Sequence, residues 1–194
     1  RRQPRGRREV PLNVTDTISV QLHIAPDPAF YELAFAVTPK ILLRAGKIKI
    51  YSCDSAAGKA LLAREGSARH QMYLQNQFHQ YVKHEVVPAI RKDCRTPDIE
   101  IWAAGASIGA FHSVAMVCRF PDLFSKACAM SGTYDLRRFY DAKPNEFSEE
   151  FYVSSPLHFV PTLGGRHLDV LRTRYILMPS GEGRAEDISE SFAM

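Results

Sequence analysis

One short segment, Gly105-Ala106-Ser107-Ile108-Gly109, narrows the choice of fold more than any other part of the sequence. It fits the glycine–x–serine–x–glycine pattern of a sharp strand-to-helix turn, which presents a serine hydroxyl as a nucleophile. Such a turn brings the strand and the helix too close together for a Cβ at either glycine position. The first N–H of the helix can then face a developing oxyanion. The alternative is an ordinary Gly/Ser turn without chemistry.

The residues on both sides of this segment favour the strand-to-helix interpretation. Residues 100–104 (EIWAA) form a short, mostly apolar run, which is typical of a buried strand. From residue 110 to residue 118, apolar residues recur at helical spacing and predict a helix over residues 108–119. Ser107 would then stand at the carboxyl end of a strand, where a nucleophile is useful.

The rest of the chain alternates predicted strands with predicted helices, which indicates a parallel sheet. Strands are predicted over residues 47–53, 99–104 (the strand before the turn, described above), 126–131 and 174–179. A long helix capped by Ser67 extends to Cys94 with a kink at Pro88, and another helix begins at Glu186. Residues 133–172 are predicted to be irregular with short helices, and in residues 18–40 no strand can be placed.

Length and composition predict one globular domain over residues 18–194. The chain has 194 residues, 45% of them hydrophobic, and no apolar stretch approaches the ~20 residues that span a bilayer. Its net charge of +4 comes from the start, because residues 1–9 hold five Arg and one Glu. We interpret residues 1–17 as a basic, disordered tail and expect no nucleic-acid partner. The alternative is a tail that binds nucleic acid or an anionic surface.

The four cysteines do not form a metal-binding or disulfide pattern. No pair has the C-x-x-C spacing, and three of the four fall inside apolar strand or helix patterns. A reducing cytoplasm is therefore the expected location. We expect neither a metal nor an organic cofactor, and the sequence does not indicate an oligomeric state.

Three further motifs accompany the turn, in this order along the chain: His84–Ile90 (HEVVPAI), Arg119–Phe124 (RFPDLF) and Met130–Leu136 (MSGTYDL). Together they resemble the esterase family of α/β-hydrolases, in its esterase D-like branch, which is related to S-formylglutathione hydrolases and mycolyl esterases. The resemblance is clearest over residues 41–194. It implies a three-layer α/β-hydrolase sandwich with a mostly parallel sheet. It also implies hydrolysis of a small-molecule ester or thioester through an acyl-enzyme.

The resemblance also implies roles for particular residues. Ser107 matches the nucleophile, and the N–H of Ile108 matches one oxyanion donor. The acid follows the next-to-last strand, where many relatives have an Asp at the position of Arg184. The role then falls to Glu182, Glu186 or Asp187. The alternative is that these carboxylates only cap the next helix.

Two parts of the family's machinery are not found in the sequence. The base follows the acid in this fold, yet all seven histidines precede Asp187. His112, on the turn helix, is predicted to be a packing or surface residue and not the base. No strand followed by Gly-Gly, the source of the second oxyanion donor, occurs in residues 18–40, so that element is absent or divergent. We therefore interpret the chain as a fragment truncated at its C-terminus, with weak activity or none. The alternative function is a non-catalytic binding or scaffold protein.

The aromatic side chains of the irregular region leave two interpretations open. They could line an apolar acyl or aryl site, or they could be core packing beneath a long loop. They are Phe139, Tyr140, Phe147, Phe151, Tyr152 and Phe159.

Overall fold

The computed structural model describes residues 19–25, 44, 46–181 and 188–194, and in them five parallel strands form one sheet in the order β2-β1-β3-β4-β5. The strands are β1 (Ser19–Ala25), β2 (Ile48–Asp54), β3 (Ile101–Ala106), β4 (Lys126–Met130) and β5 (Tyr175–Leu177). The predicted α/β class with a parallel sheet is confirmed. The predicted tail, residues 1–17, lies outside the described residues.

Strand β1 corrects the sequence analysis, which placed no strand in residues 18–40. It pairs with β2 on one side and with β3 on the other, so it is an interior strand of the sheet. Its sequence, SVQLHIA, alternates apolar and polar residues, and this alternation was the signal that was missed. A strand therefore lies where the sequence analysis placed none. The residues that follow it, 26–43, lie outside the described part of the chain.

The helices occupy the connections between strands. Helices α1 to α3 lie between β2 and β3 along the chain, and α4 lies between β3 and β4. The described helices are α1 (Ala56–Ala63), α2 (Ala68–Tyr81), α3 (Val87–Cys94), α4 (Ile108–Arg119), α5 (Glu149–Ser154), α6 (Pro156–Phe159), α7 (Gly165–Leu171) and α8 (Ile188–Ala193).

The long helix predicted from Ser67 to Cys94 is present, with an interruption. The Ser67 hydroxyl accepts the N–H of His70, as an N-cap does. Between α2 and α3 the helix widens to a π segment over Val82–Val86. Pro88 lies in the first turn of α3 and has no N–H to donate to the preceding turn. The π segment is where the helix accommodates this missing hydrogen bond.

The boundaries of three predicted strands shift by one or two residues. β3 includes Gly105 and Ala106, so the turn out of the strand is made at Ser107 alone. β5 covers Tyr175–Leu177 instead of residues 174–179, because only these three residues pair with β4. β4 ends at Met130. None of the described helices is long and apolar enough to span a bilayer.

The hydrophobic core lies between the sheet and the helices that follow β2 and β3. One cluster packs Ile101 and Ala103 of β3 against Phe78 of α2 and Met116 of α4. Eleven of the twelve residues of α4 are buried, so the helix that begins at the turn runs through the middle of the core. Such packing holds the start of α4 in one position.

Most of the aromatic side chains in residues 133–172 are core packing. Phe151 is fully buried and Tyr140 nearly so, and both pack against Phe111 of α4 and Met72 of α2. The rings of Tyr140 and Phe151 meet edge to face, with centroids 5.5 Å apart. Tyr152 differs, since it is 43% exposed. Of the two interpretations left open above, core packing therefore describes Tyr140 and Phe151.

Candidate active site

Ser107 follows the carboxyl end of β3, next to the point where the strand order of the sheet reverses. β2 pairs with one side of β1, and the next strand along the chain, β3, pairs with the other side of β1. In open parallel sheets, ligands bind in the crevice outside the carboxyl ends of the two strands at such a reversal. Here those strands are β1, ending at Ala25, and β3, with Ile24 of β1 level with Gly105. Ser107 lies at that crevice.

The backbone of Ser107 has the conformation that exposes a nucleophile. Its φ is 53° and its ψ is −119°, a combination that non-glycine residues rarely adopt. The side chain of Ser107 is exposed, whereas the next residue, Ile108, is only 2% exposed. The turn therefore directs one hydroxyl outward at the top of a buried helix.

The first glycine of the pattern is required by space. A Cβ on Gly105 would lie 2.4 Å from the carbonyl carbon and oxygen of Gly109. Real Cβ atoms do not approach backbone atoms so closely, so the strand and the helix could not keep this distance with any other residue at position 105. The second glycine of the pattern, Gly109, supplies the carbonyl group that lies where a Cβ of residue 105 would be.

The start of α4 leaves two N–H groups next to Ser107 without helical partners. The first helical hydrogen bonds are donated by Ala110 and Phe111 to the Ser107 carbonyl, at 3.0 and 3.3 Å. The N–H groups of Ile108 and Gly109 precede them, and such groups at a helix N-terminus attract negative charge. Ile108 N–H is therefore placed as a candidate oxyanion donor.

Two hydrogen bonds connect the ends of three adjacent strands. The N–H of Ser107 donates to the carbonyl of Met130 at 3.1 Å, and the N–H of Ser131 donates to the carbonyl of Pro179 at 2.8 Å. Ser131, like Ser107, has a positive φ, 47°. Main-chain hydrogen bonds therefore link the turn after β3, the end of β4 and the segment after β5 along the carboxyl edge of the sheet.

The candidate acids Glu182, Glu186 and Asp187 all lie outside the described residues, as does Arg184. A different carboxylate, Glu190 of α8, is described, and its position was not expected from the sequence. One oxygen of Glu190 accepts the N–H of Tyr134 at 2.6 Å and the hydroxyl of Thr133 at 2.8 Å. The other pairs with Arg138 at 2.6 Å. This carboxylate fastens α8 to the loop after β4.

Each described histidine with a hydrogen bond has a partner other than Ser107. His158 bonds Ser155 at 2.9 Å, and His167 bonds the carbonyl of Cys118 at 2.8 Å. His70 and His84 are exposed on α2 and on the π segment. Among the described residues, Ser107 has no hydrogen-bonded imidazole.

His112 is buried, so of the two predicted alternatives it is a packing residue and not a surface residue, and it is hydrogen-bonded on both sides. Its Nε2 lies 3.2 Å from the hydroxyl of Ser55, and its Nδ1 lies 3.0 Å from Nε2 of His79. Burial lowers the pKa of His112 to about 3 and holds the pKa of His79 well below its usual value, where the neighbouring Arg119 acts in the same direction. Both imidazoles are neutral at pH 7.

The described residues contain no group of three or more His, Cys, Asp and Glu side chains arranged to hold a metal ion.

Ser107 and the N–H of Ile108 together provide a nucleophile beside a helix N-terminus, an arrangement suited to acyl transfer.

Comparisons with known proteins agree with this geometry. The sequence model of the family described as "Putative esterase" matches residues 47–173, more than half of the chain. The structure is similar to that of the enterochelin esterase from Shigella flexneri, with a TM-score of 0.50 and 14% identity over 93% of this chain and 50% of that chain. It is also similar to the S-formylglutathione hydrolase FrmB from Staphylococcus aureus. There the TM-score is 0.46 and the identity 15%, over 85% of this chain and 73% of that one.

The chain spans about half the length of the enterochelin esterase that it matches. At 14% identity the likeness concerns the fold, which is that of the α/β-hydrolases. No curated protein matches the sequence.

Proposed function

The chain belongs to the esterase family, and on this basis we propose that it hydrolyses carboxylic esters or thioesters through an acyl-enzyme at Ser107. The observation that supports the proposal is the backbone of Ser107, with its φ of 53° and its exposed hydroxyl at the crevice between β1 and β3. A strained residue of this kind persists only where the surrounding structure holds it, and such residues cluster at active sites.

The reaction would proceed in two steps. The Ser107 oxygen attacks the carbonyl carbon of the ester, and the carbonyl oxygen takes the negative charge and accepts a hydrogen bond from Ile108 N–H. The intermediate collapses, the alcohol or thiol leaves with the proton that the Ser107 hydroxyl has lost, and the acyl group remains on Ser107. Water then attacks the same carbonyl carbon, the bond from that carbon to the serine oxygen breaks, and one proton of the water passes to the serine oxygen as the acid is released.

Two further groups complete the proposal. The acid is Glu182 or Glu186, with Asp187 as the other candidate, since these carboxylates follow β5 along the chain. A histidine must move the proton, and none of the described histidines bonds Ser107. We therefore expect slow chemistry for this chain alone, because loss of a triad member leaves only about 10³–10⁴-fold acceleration over water.

Labelling with a fluorophosphonate probe tests the proposal. We expect slow covalent modification that mass spectrometry assigns to Ser107, and no modification in Ser107→Ala. Ser131→Ala is the matched control, because Ser131 stands at the end of the next strand with a similar φ and should leave the labelling unchanged.

Absence of labelling at Ser107 under long exposure to the probe would reject the catalytic proposal. It would favour the second candidate, a non-catalytic binding or scaffold protein of this fold. The observation behind that alternative is the engagement of His112, His158 and His167 with partners other than Ser107.

A further inference from the structure

A series of hydrogen-bonded side chains lies behind the turn at Ser107. Nη1 of Arg119 is 3.1 Å from Nδ1 of His79. Nε2 of His79 is 3.0 Å from Nδ1 of His112, and Nε2 of His112 is 3.2 Å from the hydroxyl oxygen of Ser55. That oxygen also accepts the N–H of Gly58 at 2.9 Å. The series joins α2, α4 and the N-terminus of α1.

The direction of every hydrogen bond in this series follows from Arg119. A guanidinium group only donates, so Nδ1 of His79 must accept. The neutral imidazole of His79 then carries its proton on Nε2 and donates it to Nδ1 of His112. His112 in turn carries its proton on Nε2 and donates it to Ser55. Both histidines are therefore Nε2–H tautomers, and the opposite order would place two donors face to face at Arg119.

The two histidines and Ser55 are closed to water, whereas Arg119 is half-buried. Ser55 and His79 are 0% exposed and His112 is 1% exposed. Arg119 is also fixed from the other side, since its Nη2 donates to Asn76 at 2.7 Å. Removing one member would leave a buried donor or acceptor unpaired, which disfavours the folded arrangement.

The series ends against the residue that follows Ser107. A Cβ placed on Gly58 would lie 3.0 Å from the hydroxyl oxygen of Ser55 and 3.4 Å from Cγ2 of Ile108, so these three residues meet at one point. His112 is four residues after Ile108 on α4, and residues at this spacing share a helix face. The same face of α4 therefore carries Ile108 and the hydrogen bond to Ser55.

We propose that His79 and His112 are positioning residues for the turn: as Nε2–H tautomers they hold α4 against α1 and α2, and so fix Ile108 N–H and Ser107 in place. The inference rests on the proposed function, in which Ile108 N–H stabilises the oxyanion. A misplacement of 1 Å at a reacting centre can lower a rate by about 100-fold.

Three substitutions of His112 test the inference through the rate of fluorophosphonate labelling. His112→Phe keeps a ring and removes both hydrogen bonds, and we expect labelling to slow by about tenfold or more. His112→Gln carries an N–H near the position of Nε2 and should recover most of the rate. The shorter side chain of His112→Asn reaches towards His79 but not Ser55, so this variant should not recover the rate. The matched control is Tyr140→Phe, which removes another buried hydrogen bond of α2, to Gln75, and should stay within about twofold of the unchanged chain.

Unchanged labelling in a folded His112→Phe variant would overturn the inference. If His112→Phe does not fold, equal rates for the Gln and Asn variants would overturn it instead. A second readout uses the unchanged chain: nitrogen-15 spectra of its histidines should show the Nε2–H tautomer for both His79 and His112. An Nδ1–H form of either would contradict the inference.

Failure of the proposed function is distinguishable from failure of this inference. If Ser107 of the unchanged chain is never labelled, the proposed function has failed, and the amide resonance of Ile108 decides the inference. We expect that resonance to shift in His112→Gln and His112→Asn by different amounts and to stay in place in Tyr140→Phe. An Ile108 resonance that stays in place in all substitutions of His112 would overturn the inference.

Discussion

At the scale of single residues, Ser107 and Ser131 both adopt a positive φ, 53° and 47°, at the ends of neighbouring strands. For a residue with a Cβ such a backbone costs roughly 1–3 kcal/mol. It is held because each N–H donates to the carbonyl of the next segment along the edge, Met130 for Ser107 and Pro179 for Ser131. Strain at the candidate nucleophile is thus sustained by backbone hydrogen bonds.

Gly105→Ala should be strongly destabilising. The added Cβ would lie 2.4 Å from backbone atoms of Gly109, and backbone yields less readily than a flexible side chain. We expect the free energy of unfolding to fall by about 3 kcal/mol or more, measured by urea denaturation.

Gly164→Ser is the matched control, because a Cβ at Gly164 meets no atom within 4 Å and serine is a favourable N-cap for α7. Its unfolding free energy should change by less than about 0.5 kcal/mol. A Gly105→Ala variant as stable as this control would contradict the close approach of β3 and α4.

At the scale of elements, the sequence predicted the segments whose pattern is local. The helix over residues 108–119 is found as Ile108–Arg119, because its apolar spacing and the turn before it are both readable along the chain. β1 was missed, although it is interior to the sheet. Pro26 and Pro28, which follow β1 closely, obscured the alternating pattern of its seven residues. The position of β1 in the sheet is decided by pairing with strands further along the chain.

Glu190→Ala should loosen α8 from the loop after β4. The carboxylate receives hydrogen bonds from Thr133 and Tyr134 and pairs with Arg138, while only 11% of its side chain is exposed. We expect faster amide hydrogen exchange over residues 188–194 and at Tyr134, with a loss of about 1–3 kcal/mol in local stability.

The matched control for this substitution is Glu65→Ala, which removes an exposed carboxylate and should leave exchange in both regions unchanged. Equal exchange in Glu190→Ala and in Glu65→Ala would show that α8 is held by other contacts.

At the scale of the whole molecule, the two buried imidazoles make stability depend on pH. An imidazole in the unfolded chain has a pKa near 6.5, whereas in the folded protein the pKa of His112 is about 3 and that of His79 is also depressed, chiefly by burial. Below pH 6.5 the unfolded chain binds protons that the folded protein does not. The stabilisation is therefore complete above pH 6.5 and declines as the pH falls.

We expect the unfolding free energy to fall by about 2 kcal/mol from His112 alone between pH 7 and pH 5, and His79 adds to the fall in the same direction. Burial lowers the pKa of His158 as well, so this residue adds to the decline in the same direction. Urea titrations at half-unit steps of pH measure the effect. His112→Gln should remove nearly half of the decline, and His84→Gln, at an exposed position, should leave it intact. Equal slopes in the two variants would contradict a neutral, buried His112.

How much of the candidate site could be predicted depends on how local its parts are. The turn from Gly105 to Gly109 is contiguous, so its strand, its helix and the reason for Gly105 all follow from five residues and their neighbours. The series from Arg119 to Ser55 joins residues up to 64 positions apart and has no pattern in the sequence. Only the packing of α4 against α2 brings His79 and His112 together.

The hydrogen bonds from Ser107 to Met130 and from Ser131 to Pro179 have a consequence for evolution of the site. Glu182 follows Pro179 by three residues, a span of about 10 Å at most for an extended chain. The starting point of the segment that we propose to carry the acid is thus set by main-chain atoms, which substitutions do not remove. In our proposal, the candidate acids Glu182, Glu186 and Asp187 therefore differ only in how far along the chain they lie from one starting point, which main-chain hydrogen bonds link to the serine.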